Sequence, residues 1–198
     1  MSNQVHMSAS DRREALIAAA VRAIRNNGML ESSTRTVSAE AGVSTGLMHH
    51  YFDSYDDLMA AAFERVAAED LQRAQELVDS LPTATERLDA IVSEFQPARD
   101  AWQFQWWMDA WSSSARHPAV RDIAAKLNSG WQGLLEQILQ DGNESGEFVC
   151  ADPRASAWRL LALLDGLTIQ VVAQTDGPGR QDVERWSHHM ARVETGRD

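Results

Sequence analysis

The stretch that decides the fold runs from Ser33 to Leu58 and reads STRTVSAEAGVSTGLMHHYFDSYDDL. Its apolar spacing predicts two short helices, 34–41 and 44–52, and Gly42-Val43 leaves room between them only for a tight turn. Gly42 permits the sharp turn because it has no Cβ, and Ser44 is placed to cap the second helix. The stretch therefore predicts a helix-turn-helix.

The second helix of this motif is expected to present a small, polar and aromatic face. Met48 and Phe52 stand four residues apart, so both can anchor the helix to a core. The residues turned outward are then Thr45, Gly46, Leu47, His49 and His50. A glycine inside a helix costs about 1 kcal/mol relative to alanine, so Gly46 indicates that something large, such as a DNA groove wall, approaches the backbone.

The remainder of the chain continues the helical pattern. The 198 residues are 44% hydrophobic and 24% charged, which is typical of a folded globular protein, and helical periodicity throughout predicts an all-α fold. We expect a flexible arm over 1–10, a helix-turn-helix domain over 11–54 that opens with a helix over 11–27, and a helical bundle over 55–198. Proline and glycine residues divide this bundle into predicted helices at 55–79, 84–96, 99–115, 119–140, 153–174 and 180–194.

The charge balance restricts the partners. The net charge is −11, which disfavours indiscriminate attraction to phosphate polymers or anionic membranes, so any contact with nucleic acid must be local. No apolar run reaches the roughly 20 residues that a bilayer requires, and we expect a cytoplasmic protein with no membrane partner. Cys150 has no second cysteine with which to form a disulfide, which favours a structural or incidental role.

Residues 13–58 resemble the N-terminal region of the TetR family of transcriptional regulators. The resemblance rests on Ala41-Gly42-Val43-Ser44, Gly46, Tyr51-Phe52 and Leu58. It implies that residues 44–51 form a recognition helix in the major groove of double-stranded DNA. It further implies phosphate contacts by Ser33, Arg35 and Tyr51, and base-edge contacts by Thr45, Leu47, His49 and His50.

One residue departs from the family pattern. Where the family usually has a lysine at the start of the next helix, this chain has Tyr55, which can donate only one neutral hydrogen bond to a phosphate. Each lost cationic contact flattens the dependence of log affinity on log salt by roughly one unit. We therefore expect a weaker salt dependence of DNA binding.

Seven tryptophans are many for this length, and four fall in one predicted helix: Trp102, Trp106, Trp107 and Trp111. Trp102, Trp106 and Asp109 are spaced four and then three apart, so they share one helix face. Such a stripe is typical of a closed core. It is also the arrangement of an aromatic cage with a carboxylate, which binds cationic ligands through cation–π attraction.

The second half of the chain is similar to the TetR branch that includes the choline-responsive repressor of betaine synthesis, notably at Asp165-Gly166-Leu167. This implies an effector-binding and dimerisation domain, without identifying the effector. Asp165 lies in an apolar helix, where a carboxylate must find donors or a cation or become neutral; a ligand or a dimer interface could supply them. The candidate ligand contacts are Trp102, Trp106, Asp109, Trp131, Trp158 and Asp165.

These patterns together predict a homodimeric, ligand-responsive DNA-binding regulator. The helix at 153–174 is apolar around much of its circumference, which favours a twofold dimer, and two recognition helices would then read a palindromic operator. We expect a repressor that a cationic or apolar small molecule releases; an effector-independent or activating regulator is the alternative.

A helical hydrolase is disfavoured because the sequence lacks catalytic signatures, and we expect no metal, cofactor or catalytic residue. His49 and His50 are adjacent and point about 100° apart, so they cannot share one metal ion; one is expected to pack on Tyr51 or Phe52.

Overall fold

The computed structural model describes residues 8–28, 31–95 and 101–197, and all regular elements in these ranges are α-helices. The predicted all-α fold is thus confirmed. In chain order the helices are α1 (Ala9–Asn27), α2 (Thr34–Ala41), α3 (Thr45–Tyr51), α4 (Tyr55–Ser80), α5 (Ala84–Glu94), α6 (Ala101–Ser114), α7 (Pro118–Ser145), α8 (Pro153–Ala173) and α9 (Arg180–Thr195).

The start of α1 differs from the prediction by two residues. Ser8 accepts a hydrogen bond from the Asp11 N–H at 3.1 Å, and the Asp11 carboxylate accepts one from the Ser8 N–H at 3.2 Å. This reciprocal cap begins the helix at Ala9, so the end of the predicted arm is helical. The rest of that arm, residues 1–7, lies outside the described residues.

The chain divides into two compact units. The head unit comprises the residues up to Val66 together with Asp109–Ala124, and the body unit comprises Ala67–Met108 together with the residues from Ala125 onward. The division falls inside α4, α6 and α7, and the domain boundary expected after residue 54 stays a prediction.

The head unit buries one face of its first helix. The residues of α1 that are withdrawn from solvent are Leu16, Ile17, Ala19, Ala20, Ala23 and Ile24. Val37 of α2 and Met48 of α3 are also fully buried in this unit. Gly28 follows the last residue of α1 with a φ of 80°, and the helix ends at residue 27 as predicted.

The body unit has its own hydrophobic core. Leu88 and Ile91 of α5, Leu135 and Ile138 of α7, and Leu160 of α8 all belong to one buried cluster. α9 packs against α8 and α5. At one end, Ser156 and Arg159 of α8 both donate hydrogen bonds to the Glu194 carboxylate of α9, at 2.6 to 2.7 Å.

One predicted helix end was wrong. The sequence predicted that the helix beginning near residue 119 would stop at residue 140, because Asp141-Gly142 is a typical turn signal. In the structure α7 continues to Ser145, and Gly142 lies within it. A Cβ at Gly142 would stand 2.0 Å from the Phe148 ring, so this glycine makes room for an aromatic side chain instead of ending the helix.

The loop after α7 is fixed to the start of α5 by Glu147. Its carboxylate accepts hydrogen bonds from the N–H groups of Ala84 at 3.1 Å and Thr85 at 2.9 Å. These bonds satisfy donors at a helix N-terminus, which favours negative charge. The bond from Thr85 is the main reason why the pKa of Glu147 falls to about 2.

Among the residues that the structure describes, one helix, α8, is long and apolar enough to cross a bilayer by length and composition alone, and about a third of its most apolar window is buried inside the chain. Core helices of water-soluble proteins pass the same test.

We expect opposite effects from alanine at two glycines of α7. Gly142→Ala should lower the free energy of unfolding by about 1 to 3 kcal/mol, because its methyl group would overlap the Phe148 ring. Gly133→Ala is the matched control: its Cβ meets nothing within 4 Å, so it should raise stability by up to about 1 kcal/mol. Urea denaturation followed by circular dichroism measures both, and equal effects would contradict this role of Gly142.

The Glu147 contact predicts a specific acid dependence. The pKa of Glu147 is lower in the folded chain than the ordinary 4.5. The ionised carboxylate therefore contributes fully to the free energy of unfolding above pH 4.5, and this contribution is lost as the pH falls toward about 2. Glu147→Gln should therefore destabilise the protein by about 1 kcal/mol at pH 7 and by much less near pH 2. Denaturant titrations of the wild type and the variant at both pH values measure the difference between their free energies of unfolding. If this difference does not become smaller near pH 2, the charge of Glu147 does not stabilise the fold.

Candidate DNA-binding surface and ligand cavity

The turn between α2 and α3 has the predicted geometry. Gly42 lies in the left-handed region with a φ of 66°, and the Ser44 hydroxyl accepts a hydrogen bond from the Leu47 N–H at 3.3 Å. Met48 is 0% exposed and Phe52 is 5% exposed. The inner face of α3 is therefore anchored in the head unit, as its four-residue spacing predicted.

The opposite face of α3 is open. Its exposed residues are Thr45, Gly46, His49 and His50, whereas Leu47 and Tyr51 are half-buried. A Cβ at Gly46 would meet only the Ser44 hydroxyl, at 4.0 Å, so the space beside this glycine is free for a partner. The ring centroid of His50 lies 5.2 Å from that of Tyr51 in an edge-on arrangement, which confirms that one of the two histidines packs on Tyr51.

The start of α2 presents two of the predicted phosphate-contacting residues. Ser33 and Arg35 are exposed. Ser33 also caps the helix, accepting from the Thr36 N–H at 3.2 Å while its own N–H donates to the Thr36 hydroxyl at 2.7 Å. This cap holds the first turn of α2 in place, and the contacts to phosphate remain predictions.

Two arginines of α1 act within the head unit in ways that the sequence pattern did not reveal. The Arg13 guanidinium carbon stands 4.9 Å from the Phe52 ring centroid, which is a cation–π distance. Arg22 donates to the Glu40 carboxylate of α2 at 2.7 Å. Both contacts join residues from different helices, which local periodicity cannot pair.

The structure corrects the expectation for Tyr55. Its hydroxyl is buried and has no hydrogen-bond partner among the described residues. Burial, followed by the charge of Asp56, raises the pKa of Tyr55 to about 12. The side chain lines a small cavity of about 180 Å³ with Ser32, Ser113 and His117, so its hydroxyl is not presented to a phosphate as it stands.

The body unit contains a larger cavity of about 340 Å³. Its walls come from α4, the end of α5, α6 and α7. Four aromatic side chains line it, namely Phe95, Phe104, Trp107 and Trp131. The rings of Phe95 and Trp131 meet edge to face with centroids 5.1 Å apart.

The polar part of this cavity centres on Asp70. Its carboxylate accepts hydrogen bonds from Gln103 Nε2 at 2.9 and 3.2 Å and forms an ion pair with Arg73. Glu94 adds a second carboxylate to the lining. Burial raises the pKa of Asp70 above its usual range, although the Arg73 charge opposes this shift. Asp70 is therefore a carboxylate that protein atoms have largely withdrawn from water.

The predicted ligand contacts have different surroundings. Trp131 lines the body-unit cavity. Trp106 is 2% exposed and packs against Trp102 with ring centroids 5.8 Å apart, which favours the closed-core alternative for this pair. Asp109 follows Trp106 by three residues on α6 and is half-buried.

Trp158 and Asp165 both lie on α8. Trp158 is 43% exposed. Burial raises the pKa of Asp165 to about 7, which fits the expectation that a carboxylate on this apolar helix is costly to ionise.

A serine, an aspartate and a histidine meet in the body unit, which bears on the hydrolase alternative. Ser93 Oγ lies 3.3 Å from His188 Nε2, and His188 Nδ1 lies 3.8 Å from Asp89. However, the Ser93 hydroxyl donates to the Asp89 backbone carbonyl at 2.8 Å, one helical turn away. Ser93 is thus bonded as an ordinary helix-surface serine.

Comparison with known proteins identifies the fold and both parts of the chain. Residues 16–62 match the family described as bacterial regulatory proteins, tetR family, and residues 84–194 match the BetI-type transcriptional repressor C-terminal family. The chain belongs to the TetR family. Its second family match spans more than half of the protein, so this TetR-family chain is a DNA-binding transcriptional regulator with a BetI-type C-terminal domain.

Individual relatives agree with this assignment. The TetR-family chain is 28% identical over 188 residues to the nicotine-responsive transcriptional repressor HdnoR of Paenarthrobacter nicotinovorans, covering 90% of this chain and 93% of HdnoR. It is 29% identical to the transcriptional regulator BetI of Brucella anthropi, covering 84% of each chain. A regulator from Saccharomonospora viridis, solved in complex with choline, shares the fold with a TM-score of 0.83 at 24% identity over 92% of this chain and 96% of that one.

The open face of α3 predicts which residues determine operator choice. Thr45→Ala and His49→Ala should each alter the preferred bases, because a lost base contact costs roughly 1 to 3 kcal/mol. Selection of duplexes from a random pool, followed by fluorescence anisotropy, measures the preference of each variant. Glu144→Ala, an exposed change at the end of α7, is the control and should leave it unchanged. Unaltered selectivity in both α3 variants would refute the assignment.

Proposed function

We propose that this regulator is a homodimeric repressor that a small organic cation releases from its operator by binding in the body-unit cavity. The observation that carries the proposal is a half-buried carboxylate, Asp70, in a cavity walled by four aromatic rings. Aromatic faces attract quaternary and protonated amines, and a desolvated carboxylate supplies the counter-charge. This residue set replaces the Trp102, Trp106 and Asp109 cage as the proposed cation site.

The dimensions of the cavity suit such a ligand. About 340 Å³ lies within the range of small-molecule sites, which are mostly apolar with a few placed polar groups. Gln103 holds the Asp70 carboxylate in position through two contacts, and this fixes the place where a cation would be neutralised. Arg73 offers a positive charge to the same carboxylate from a largely exposed position, so an incoming cation can replace it.

The relatives support this ligand class. HdnoR is named for its response to nicotine, and the Saccharomonospora viridis structure contains choline. Both compounds carry a positive nitrogen attached to carbon at neutral pH. The two compounds share a cationic nitrogen within an apolar molecule, and the aromatic rings and carboxylates that line this cavity are suited to bind such a ligand.

The dimer is proposed from the outer faces of α8 and α9. Trp158, Trp186 and Val193 are 43%, 42% and 57% exposed, which is unusual for large apolar side chains on two adjacent helices. A second copy would cover them and would place two recognition helices on one palindromic operator. The ligand then acts by its difference in affinity for the DNA-bound and released forms, and a full reversal from 1:99 to 99:1 requires about 5.5 kcal/mol.

Choline and nicotine are the probes that test the ligand site. Asp70→Asn should weaken choline binding by about tenfold or more, because it removes the counter-charge and keeps the shape. The neutral analogue 3,3-dimethylbutan-1-ol should bind both proteins equally. Isothermal titration calorimetry measures each pair, with Asp79→Asn, an exposed acid on the same helix, as the control. An unchanged affinity of Asp70→Asn for both cations would remove Asp70 from the site.

The effect on DNA is measured separately. Anisotropy of a selected duplex should fall when the cation that binds is added to the wild-type complex, and Asp70→Asn should need a higher concentration for the same fall. Binding of a cation without any change in duplex affinity would favour the effector-independent regulator. Tighter duplex binding in its presence would favour an activator or a co-repressed regulator.

A further inference from the structure

Two outward stripes run side by side on the last two helices. On α8, Trp158, Ala162, Asp165 and Ile169 recur at intervals of three or four residues and share one side of the helix. On α9, the corresponding stripe consists of Trp186, His189 and Val193, all exposed. Each stripe is apolar except for one titratable side chain near the middle of its helix.

Asp165 is the unusual member of the first stripe. Within the described ranges, its carboxylate neither accepts a hydrogen bond nor enters an ion pair, although the residue is half-buried. A carboxylate in that position is costly unless a donor reaches it. Asp70 of the cavity, in contrast, has both an amide and a guanidinium partner. The carboxylate of Asp165 is therefore open to a donor from another molecule.

The geometry of α8 shows from which side that donor can come. Ser156 contacts α9 of the same chain through Glu194. Asp165 follows Ser156 by nine residues, which at 100° per residue places it about 180° around the helix. Asp165 thus lies on the flank of α8 that faces away from its own α9.

His189 has the matching position on α9. Glu194 marks the side of α9 that contacts α8, and His189 precedes it by five residues, or about 140° around the helix. His189 therefore also faces away from its neighbour in the same chain. Asp165 lies eight residues before the end of α8 and His189 nine residues after the start of α9, so both lie about equally far from the α8 to α9 connection.

We propose that, in the homodimer, the carboxylate of Asp165 accepts a hydrogen bond from His189 of the partner subunit, and that the twofold axis repeats this pair. This inference rests on the dimer of the proposed function and names the polar contact at its centre. In a twofold four-helix arrangement, the outward stripe of α8, to which Asp165 belongs, meets the outward stripe of α9 of the second copy. Each copy offers one acceptor and one imidazole, so the face is complementary to itself, as a twofold interface requires.

The surroundings of Asp165 leave room for the second copy. Gly166, the next residue, has nothing within 4 Å of where its Cβ would be. The exposed indoles of Trp158 and Trp186 flank the pair on the two helices and would exclude water from it. A hydrogen bond to a charged group that is desolvated in this way contributes more than one left in water.

The test is a charge exchange read by analytical ultracentrifugation of the full chain. Asp165→His alone brings two imidazoles together, His189→Asp alone brings two carboxylates together, and each should raise the dimer dissociation constant roughly tenfold or more. The double variant Asp165→His with His189→Asp should return it to within about threefold of the wild type. Arg192→Gln, an exposed change one turn from His189, is the matched control and should have no effect. Circular dichroism confirms that each variant is folded.

A milder cycle keeps the inference testable if an exchanged variant does not fold. Asp165→Asn, His189→Gln and their combination should show losses that are clearly less than additive, because either change alone breaks the same bond. Additive losses, or no loss in either single variant, would overturn the pair while leaving the dimer in place. A wild-type chain that stays monomeric at micromolar concentration would instead overturn the proposed dimer. If that monomer sediments with anionic phosphatidylglycerol vesicles, lipid and not a second copy covers the exposed face of α8, and the pair is overturned as well.

Discussion

The burial of Met48 inside the head unit is the constraint on which DNA reading depends. A seven-residue helix such as α3 has little stability of its own, so its position is determined by what its inner face packs against. Met48 and Phe52 supply that face, and Arg13 covers the Phe52 ring from α1. Because these contacts fix the rotation of α3 about its axis, they also determine that Thr45 and His49 are the side chains left outside.

The sequence was sufficient for those parts of the structure that follow from local rules. Helix starts agreed closely at Thr34, Ala84 and Pro153, where a cap or a proline marks them, but the cap at Ser8 was missed. The turn at Gly42 and the anchors of α3 were predicted for the same reason. The end of α7 was not predicted. Gly142 lies inside this helix because it leaves room for the ring of Phe148, six residues further along the chain. Residue spacing alone cannot distinguish a glycine that makes room for packing from one that ends a helix.

The body-unit cavity could not be predicted from local sequence patterns. Asp70 stands in a charged stretch of α4 that looks like a solvated surface, and its partner Gln103 is thirty-three residues away. The tryptophan-rich helix α6 contributes Trp107 to the cavity, whereas helical spacing had drawn attention to the face that carries Trp106, which is 2% exposed. Two faces of one aromatic helix cannot be distinguished until the elements that surround it are known.

The buried hydroxyl of Tyr55 bears on how the regulator finds its operator. Release of counterions from DNA supplies most of the free energy of non-specific binding. The buried Tyr55 hydroxyl replaces the lysine that is usual in the family, so the head unit releases fewer counterions when it binds DNA. Such a protein spends less time on the bulk chromosome, whose many incorrect sites compete for every molecule. A larger share of the molecules is then free to reach the operator.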